Sequence, residues 1–369
     1  MIRISTFILI LLATILISLN VNATTEEKKP VRSADEILAE AGNNITPAVI
    51  EELWDNCVLD DAEHRPVHDA SRAALIKLGV KVLPYLCEKY IPSEALYHRL
   101  ELDAIIPAIG HPATPYLIPF LKNESWYARQ HAANLIGIVA AASSLKDPYK
   151  LGPLPEDLDA LVALEDAVKI EKDWQVLRSI IGAIGSMRDP ASISLIANYL
   201  KNDEQSVRIS AVIGLGKIPS PDAMMQIVYS LLEDQMGTVH QTAILQLSTP
   251  VNGEIAFKIL SETALSSDIN RETHLACLES IARYLETVSS DYSPKVHEHR
   301  QSAFYMASTI LDNTQTDWNM RGHAVKVLGY THEPGAVIYL KRLEKIEKHP
   351  FVAGEIDLAL KKLTEKKSS

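Results

Sequence analysis

The feature that most constrains the fold of this chain is an internal repeat. Residues 120–137 read FLKNESWYARQHAANLIG and residues 199–216 read YLKNDEQSVRISAVIGLG, and the two segments align without a gap at an offset of 79 residues. A chain that repeats one pattern builds one structural unit several times, and neighbouring units complete each other's core. The repeat therefore decides the architecture before any single site is considered.

The shared core has the form Arg–x–x–Ala–x–x–x–Leu/Ile–Gly. It is complete in three places, which begin at Arg129, Arg208 and Arg321 and close at Gly137, Gly216 and Gly329. Apolar residues at steps of three and four indicate a helix with one buried face. We expect the closing Gly to stop each helix, because Gly accepts a left-handed backbone and a Pro usually follows within a few residues.

A second helix follows each stop, so the unit is a pair of helices about 30 residues long, by the span of known helical repeats. Stacked pairs predict an all-α fold, a right-handed α-solenoid of helical-pair repeats. The pattern resembles HEAT repeats, and the copy at residues 203–216 resembles their phycobilisome-lyase type. The resemblance covers residues 60 to 345. It implies a fold and leaves the function open, because folds of this kind carry many unrelated functions.

The N-terminus has the composition of a secretory signal peptide. Arg3 precedes an apolar run at residues 7–19, and small residues at 21–23 offer a cleavage site after Ala23. The sequence therefore predicts a secreted or periplasmic protein. The alternative is an uncleaved anchor, which would place the protein at a membrane. Residues 24–58 follow as a polar segment and a capping helical pair.

The solenoid is expected over residues 59–347, with a closing helix and a Lys-rich tail at 348–369. Two segments break its period, near 142–155 and 286–294. Insertions in repeat arrays emerge on one face, which is often the binding face. A tolerated surface loop is the alternative at both places.

The charge balance bears on the partner. The formal net charge is −11, whereas binding to nucleic acid or to anionic lipid needs a basic footprint. The sequence therefore predicts no nucleic-acid partner, and it favours a protein partner with basic groups.

The Arg positions have a structural interpretation. Arg129, Arg208 and Arg321 recur at one place in the unit, and an acid such as Asp203 lies four or five residues earlier. A planar guanidinium can bridge to carboxylates or carbonyls of the adjacent repeat, so we expect a ladder that holds the repeats together. His240 and His274 occupy the same place and are interpreted as substitutions in this ladder.

Metal and catalytic sites have little support in the sequence. His64 and His68, in the segment 60–69, are the candidates for a metal site, but Pro66 interrupts a helix that would carry both. The enzyme precedent on this fold, deoxyhypusine hydroxylase, implies several His-Glu pairs set symmetrically in the repeats. Here only His297-Glu298 and His332-Glu333 occur, in other parts of the unit. We therefore predict no cofactor and no catalytic residues.

Tyrosines recur near the ends of the second helices. Tyr229 and Tyr339 are the candidates for an interface, because Tyr gives contact area with few rotamers to freeze. Cys57, Cys87 and Cys277 are expected to be buried thiols, with a Cys57–Cys87 disulfide as the alternative.

The function predicted from these observations is an exported, non-catalytic HEAT-repeat scaffold. It would bind a protein or an extended ligand on the concave face of its helical array. The alternative is a metal-dependent or other enzyme on the same scaffold. The sequence does not decide the oligomeric state.

Overall fold

The computed structural model describes residues 31–59, 62–144, 147–234 and 237–364. The predicted signal peptide, residues 60 and 61, and the end of the Lys-rich tail lie outside the described residues. No strand occurs in the described ranges, and the predicted all-α, HEAT-like solenoid fold is confirmed. The α-helices are α1 (Ala34–Ala41), α2 (Pro47–Cys57), α3 (Arg65–Leu78), α4 (Leu83–Tyr90), α5 (Leu96–Ile109), α6 (Thr114–Leu117), α7 (Trp126–Ser144), α8 (Leu158–Ile170), α9 (Trp174–Met187), α10 (Ile193–Ala197), α11 (Gln205–Gly216), α12 (Pro221–Glu233), α13 (Gly237–Leu247), α14 (Pro250–Leu265), α15 (Arg271–Thr287), α16 (Pro294–Asp312), α17 (Trp318–Thr331), α18 (Pro334–Glu344) and α19 (Pro350–Thr364).

The described part of the chain divides into two compact units, with the boundary between residues 74 and 75. In the first unit, Ser33 begins α1 with a capping box: its hydroxyl accepts from the Glu36 N–H, and the Glu36 carboxylate accepts from the Ser33 N–H. This arrangement satisfies two backbone donors that have no partner in the helix. Leu53 and Trp54 on α2 are fully buried and form the core of this unit.

In the second unit the helices form two layers. The odd-numbered helices α5 to α19 follow one another side by side, and the even-numbered helices α4 to α18 form the other layer. Each odd helix that carries the repeated pattern and the even helix that follows it make one repeat. The odd-numbered helices pack more closely on one another than the even-numbered helices do.

Glycine explains this close packing. A Cβ on Gly137 in α7 would lie 3.0 Å from the Ala183 Cα of α9, and one on Gly329 in α17 would lie 3.0 Å from the Ala359 Cβ of α19. These distances are shorter than ordinary carbon contacts, so any larger residue would push the two helices apart by a few tenths of an ångström. At Gly216 the neighbour is the flexible Gln246 side chain.

The expectation that the closing Gly stops the helix is wrong at Gly137 and Gly329, whereas α11 does end at Gly216. Gly137 and Gly329 lie inside helices that continue to Ser144 and Thr331. The residue with a left-handed backbone at the end of α17 is His332, with φ of 53°. The expectation is right at Gly110, which ends α5 with φ of 81°. At Gly137 and Gly329 the Gly of the repeat serves helix contact rather than helix termination.

The turns lie on two edges of this unit. Turns from an even to an odd helix make one edge and contain the acceptors of the repeated Arg residues. Turns from an odd to an even helix make the other edge, which we call the insertion edge. The described parts of both period-breaking segments are there: residues 147–157 lie between α7 and α8, and residues 288–293 join α15 to α16.

Candidate functional site

The repeated Arg residues tie consecutive repeats together. The Nε of Arg129 donates to the Glu171 carboxylate at 2.7 Å, and that of Arg208 donates to Asp234 at 2.5 Å. The Nη2 of Arg321 donates to Glu347 at 2.5 Å. Each carboxylate lies at the start of the next odd helix, 26 to 42 residues along the chain.

The acids before each Arg play a different part. Glu124 and Asp203 accept from Arg129 and Arg208 through their main-chain carbonyls, at 3.0 Å in both cases. Asp317 caps α17 and accepts from the N–H of Asn319 at 2.9 Å. The guanidinium groups thus satisfy carbonyls of their own turn and a carboxylate of the next one.

Two carboxylates of this ladder, Glu171 and Glu347, stay ionised in the folded protein at neutral pH. Burial alone would raise the pKa of Glu171 and Glu347. The hydrogen bonds from Arg129 and Arg321, together with backbone N–H donors of the following residues, outweigh burial and lower the pKa of both groups below the ordinary value of 4.5. The ion pair therefore persists at neutral pH.

His240 and His274 occupy the Arg place and reproduce one of the contacts that the Arg side chains make. His240 bonds through Nε2 to the Asp234 carbonyl at 2.6 Å, and His274 bonds through Nδ1 to the Ala264 carbonyl at 3.1 Å. Both rings replace one part of the guanidinium network, the contact with a carbonyl of the preceding turn.

The two tyrosines differ in exposure. Tyr229 is 49% exposed and lines an open cleft of about 730 Å³ together with Asp203 and Arg208. The Tyr339 hydroxyl donates to the Asp312 carboxylate at 2.7 Å, so its ring joins neighbouring even-layer helices. Both residues lie on even helices, away from the closely packed odd layer.

The candidate metal ligands are engaged with other side chains. His68 is buried, and its Nδ1 and Nε2 lie 2.8 Å from the Asp69 carboxylate and 3.0 Å from the Arg72 guanidinium. His64 precedes α3, which begins at Arg65. Across the described ranges, no group of three or more His, Cys, Asp and Glu side chains has the geometry to hold a metal ion.

The cysteines are buried. Cys57 donates from its thiol to the Leu53 carbonyl at 3.2 Å. Burial raises the pKa of Cys87 and of Cys277 to about 12.

In the described part of the chain, no single helix is long and apolar enough to cross a membrane. One pair of segments, Leu96–Ile109 and His111–Lys122, is long and apolar enough when taken together, but it is bent by 117°.

A polar groove crosses the odd layer from α5 to α11. It has a volume of about 490 Å³, and its floor includes the small residues Gly137, Gly182 and Ala183. Gly137 and Ala183 belong to the close contact between α7 and α9, whereas Gly182 has open space above it. The side chains along the groove are Arg99, Asp103, Gln130, His131, Asn134, Ile138, Gln175, Arg178, Ser179, Ser210 and Lys217.

Two side chains of the groove are free to meet a ligand. Asn134 on α7 and Arg178 on α9 are exposed, and neither forms a side-chain hydrogen bond or an ion pair within the described ranges. Arg178 lies over the Trp174 ring, with 5.6 Å from its Cζ to the ring centroid. His131 is buried beside them, and its Nδ1 has no hydrogen-bond partner in the described part.

Other groups of the groove are held internally. The Lys217 ammonium donates to the Gly182 carbonyl at 2.8 Å and to the Ser186 hydroxyl at 2.9 Å, and burial lowers the pKa of Lys217. Asp103 lies 3.2 Å from His131 Nε2 and 3.8 Å from Arg99. The charged side chains of the groove thus include more cations than anions, although the protein as a whole is acidic.

Exposed tryptophans begin the helices beside the groove. Trp126 is the first residue of α7 and Trp174 the first of α9, and each lies three residues before the Arg place of its repeat. They are 38% and 39% exposed. Trp126, Gln130 and Asn134 are spaced by four residues and therefore share one helix face. The sequence analysis missed these residues, although their repeated position and spacing by four were visible signals.

The comparisons with known proteins concern the fold. Residues 158–248 match the family model described as HEAT repeats. No curated protein matches the chain. Among solved structures, karyopherin Kap121p bound to the extreme C-terminus of the phosphatase Cdc14p aligns with a TM-score of 0.50 and 12% identity, over 89% of this chain and 39% of that chain. This likeness shows the solenoid fold.

Two other solved structures are similar at lower scores. Human deoxyhypusine hydroxylase aligns with a TM-score of 0.31 and 14% identity, over 79% of this chain and 100% of that chain. The CpcE–CpcF complex of phycocyanin lyase from Nostoc aligns with a TM-score of 0.33 and 14% identity, over 68% of this chain and 94% of that chain. At these scores neither likeness bears on the site.

Proposed function

We propose that this protein is an exported, non-catalytic scaffold that binds an extended polypeptide segment along the groove of α5, α7, α9 and α11. One observation carries the proposal: neighbouring helices of the odd layer present an exposed amide, Asn134, and an exposed guanidinium, Arg178, beside Trp126 and Trp174. Stacked repeat arrays bind extended ligands on surfaces that run across several neighbouring repeats, and the groove crosses four helices of the odd layer.

The chemistry of the groove suits a peptide backbone. A side-chain amide offers both a donor and an acceptor, so Asn134 and Gln130 match the N–H and C=O groups of an extended chain. Trp126 and Trp174 provide apolar surface at one end of the groove. Four helices about 8–10 Å apart take roughly seven to nine residues of extended chain at about 3.3 Å each.

The local charge refines the expected partner. The net charge of −11 favours basic partners for the surface at large. Charges act over about 10 Å at moderate salt. The charge preferred in a bound segment is therefore set mainly by Arg178 and Arg99, which lie in the groove. We therefore propose that the bound segment carries a carboxylate near Arg178 and that its affinity falls as salt rises.

The test uses the chain from Thr24 and a random library of extended peptides. Peptides are first selected for binding to the wild-type protein. Fluorescence anisotropy then measures their affinity for the wild type and for the variants Asn134→Ala and Arg178→Glu. Each substitution should weaken binding at least about tenfold, or about 1.4 kcal/mol. Tyr305→Ala, at an exposed site of the even layer, serves as the control and should bind like wild type. If all three variants bind the peptides with equal affinity, the proposal that peptides bind in this groove is wrong.

Export rests on separate support, the composition of residues 1–23. N-terminal sequencing of the protein recovered from the envelope or medium of its native cells tests it. A chain that begins at Thr24 supports export. A chain that retains the segment and stays in the cytosol contradicts it.

A further inference from the structure

The first insertion forms a strap along the insertion edge. We give this name to residues 147–152. The Nη1 of Arg188 donates to the carbonyls of Asp147 and Pro148, at 3.1 Å each, and the Gly152 N–H donates to the Arg188 carbonyl at 2.8 Å. Arg188 itself has a left-handed backbone, with φ of 56°. The turn after α9 therefore holds the strap in a defined position.

The strap reaches a helix that lies far along the chain. The Tyr149 hydroxyl donates to the Glu254 carboxylate on α14 at 2.8 Å, across 105 residues of sequence. Partial burial and this hydrogen bond raise the pKa of Tyr149 to about 12, so the hydroxyl remains a donor. The ring is still 49% exposed. The hydrogen bond from its hydroxyl to Glu254 holds the ring in one orientation, and the exposed part of the ring offers an aromatic surface.

A second aromatic group lies across from the strap. His299 on α16 stacks on Phe257 of α14, with 4.2 Å between ring centroids and 8° between planes. Its Nδ1 is 2.9 Å from the Tyr284 hydroxyl. Burial and the nearby Lys295 lower the pKa of His299, so the imidazole is neutral and has one donor and one acceptor nitrogen.

These groups line one cleft. Its volume is about 650 Å³, within the range of about 300–1,000 Å³ typical of small-molecule sites. Pro219 and Phe257 supply apolar wall, and Ser261 supplies a buried hydroxyl with no hydrogen-bond partner in the described ranges. The cleft is separate from the groove of the odd layer.

The polar groups of the cleft are mixed in sign. Glu254, Glu262 and Glu298 line the cleft together with Lys258 and Lys295, and Lys258 lies 3.8 Å from Glu262. Carboxylates accept hydrogen bonds, ammonium groups donate them, and the Ser hydroxyls and His299 can do both. Such a set has little preference for a charged ligand and suits one that donates and accepts at several points.

We propose that this cleft binds a neutral saccharide. A sugar ring has an apolar face of C–H groups, which would lie on the Tyr149 ring, and hydroxyls that both donate and accept, which would meet Glu254, Lys295 and Ser261. The inference is independent of the peptide groove, because the two sites share no lining residue. It assigns a ligand to the first period-breaking insertion of the repeat.

The experiment titrates maltose, cellobiose, lactose and N,N′-diacetylchitobiose into the chain from Thr24, followed by saturation-transfer NMR and calorimetry. At least one disaccharide should bind the wild type. Tyr149→Ala should weaken that binding at least about tenfold, and Tyr149→Phe, which keeps the ring and loses the bond to Glu254, should weaken it less. Arg188→Ala, which releases the strap carbonyls, should also weaken it.

Controls separate this site from general damage. Tyr305→Ala removes an exposed tyrosine of α16 outside the cleft, 70% exposed, and should leave saccharide binding unchanged. Peptides selected for the groove should bind Tyr149→Ala like wild type. The proposal fails if no disaccharide binds the folded wild type, or if Tyr149→Ala binds the same disaccharide equally well.

Discussion

Gly185 on α9 meets Gly214 on α11 backbone to backbone. A Cβ on Gly185 would lie 2.6 Å from both the Cα and the carbonyl oxygen of Gly214. No real carbon contact is this short, and the neighbouring atoms are main chain, which cannot turn aside. The spacing of these two helices therefore depends on Gly185 lacking a side chain, and a Cβ on Gly214 would also lie close, 3.2 Å from the Ile181 carbonyl oxygen.

Gly185→Ala should therefore destabilise the protein by about 1–3 kcal/mol, because the helices must separate. Gly182→Ala is the matched control in the same helix. A Cβ there meets nothing within 4 Å, and replacing a helical Gly with Ala should stabilise by about 0.5–1 kcal/mol. Urea unfolding followed by circular dichroism measures both. Opposite signs are expected, and equal effects would contradict the close approach.

Arg208→Ala tests the ladder that joins the repeats. The substitution removes the hydrogen bonds from Arg208 to the Asp234 carboxylate and to two main-chain carbonyls, so the free energy of unfolding should fall by about 1–3 kcal/mol. Lys201→Ala is the control, because its ion pair with Glu233 is exposed on both sides. It should change stability by less than about 1 kcal/mol. A small effect at Arg208, joined with lost ligand binding, would favour an anion site instead.

The ladder carboxylates predict a dependence of stability on pH. The folded protein lowers the pKa of Glu347 below the ordinary 4.5, so the unfolded chain binds more protons in acid. The stabilisation from this group is complete above pH 4.5 and is lost as the pH falls through the lower, folded pKa. Glu347→Gln should flatten the decline in unfolding free energy between neutral pH and pH 3. An unchanged slope would mean that Glu347 does not contribute.

The fold was predictable because each repeat has a recognisable pattern of residues close together in the sequence. Arg208, Ala211 and Gly216 mark one helix and its buried face, and the same spacing recurs at Arg129 and Arg321. The function of the Gly was not predictable from that pattern. A helix end and a close helix contact both favour Gly, and only the packing of α9 on α11 distinguishes them.

The partners of the Arg residues could have been found in part. Glu171, Asp234 and Glu347 each lie three residues before the next odd helix begins, a constant place that the repeat alignment contains. Their side chains approach the Arg through stacking of units 26 to 42 residues apart. The contact between Tyr149 and Glu254 left no such signal, because it depends on how the strap runs past intervening turns.

That strap changes how this part of the array responds to force. A stacked array behaves like a row of springs in series, since each repeat contacts only its neighbours. The strap joins Arg188, after α9, to Glu254 on α14, and so adds a link in parallel with the repeats between them. Bending or extension would be taken up elsewhere along the array first, and the segment from α9 to α14 would keep its curvature while the ends yield.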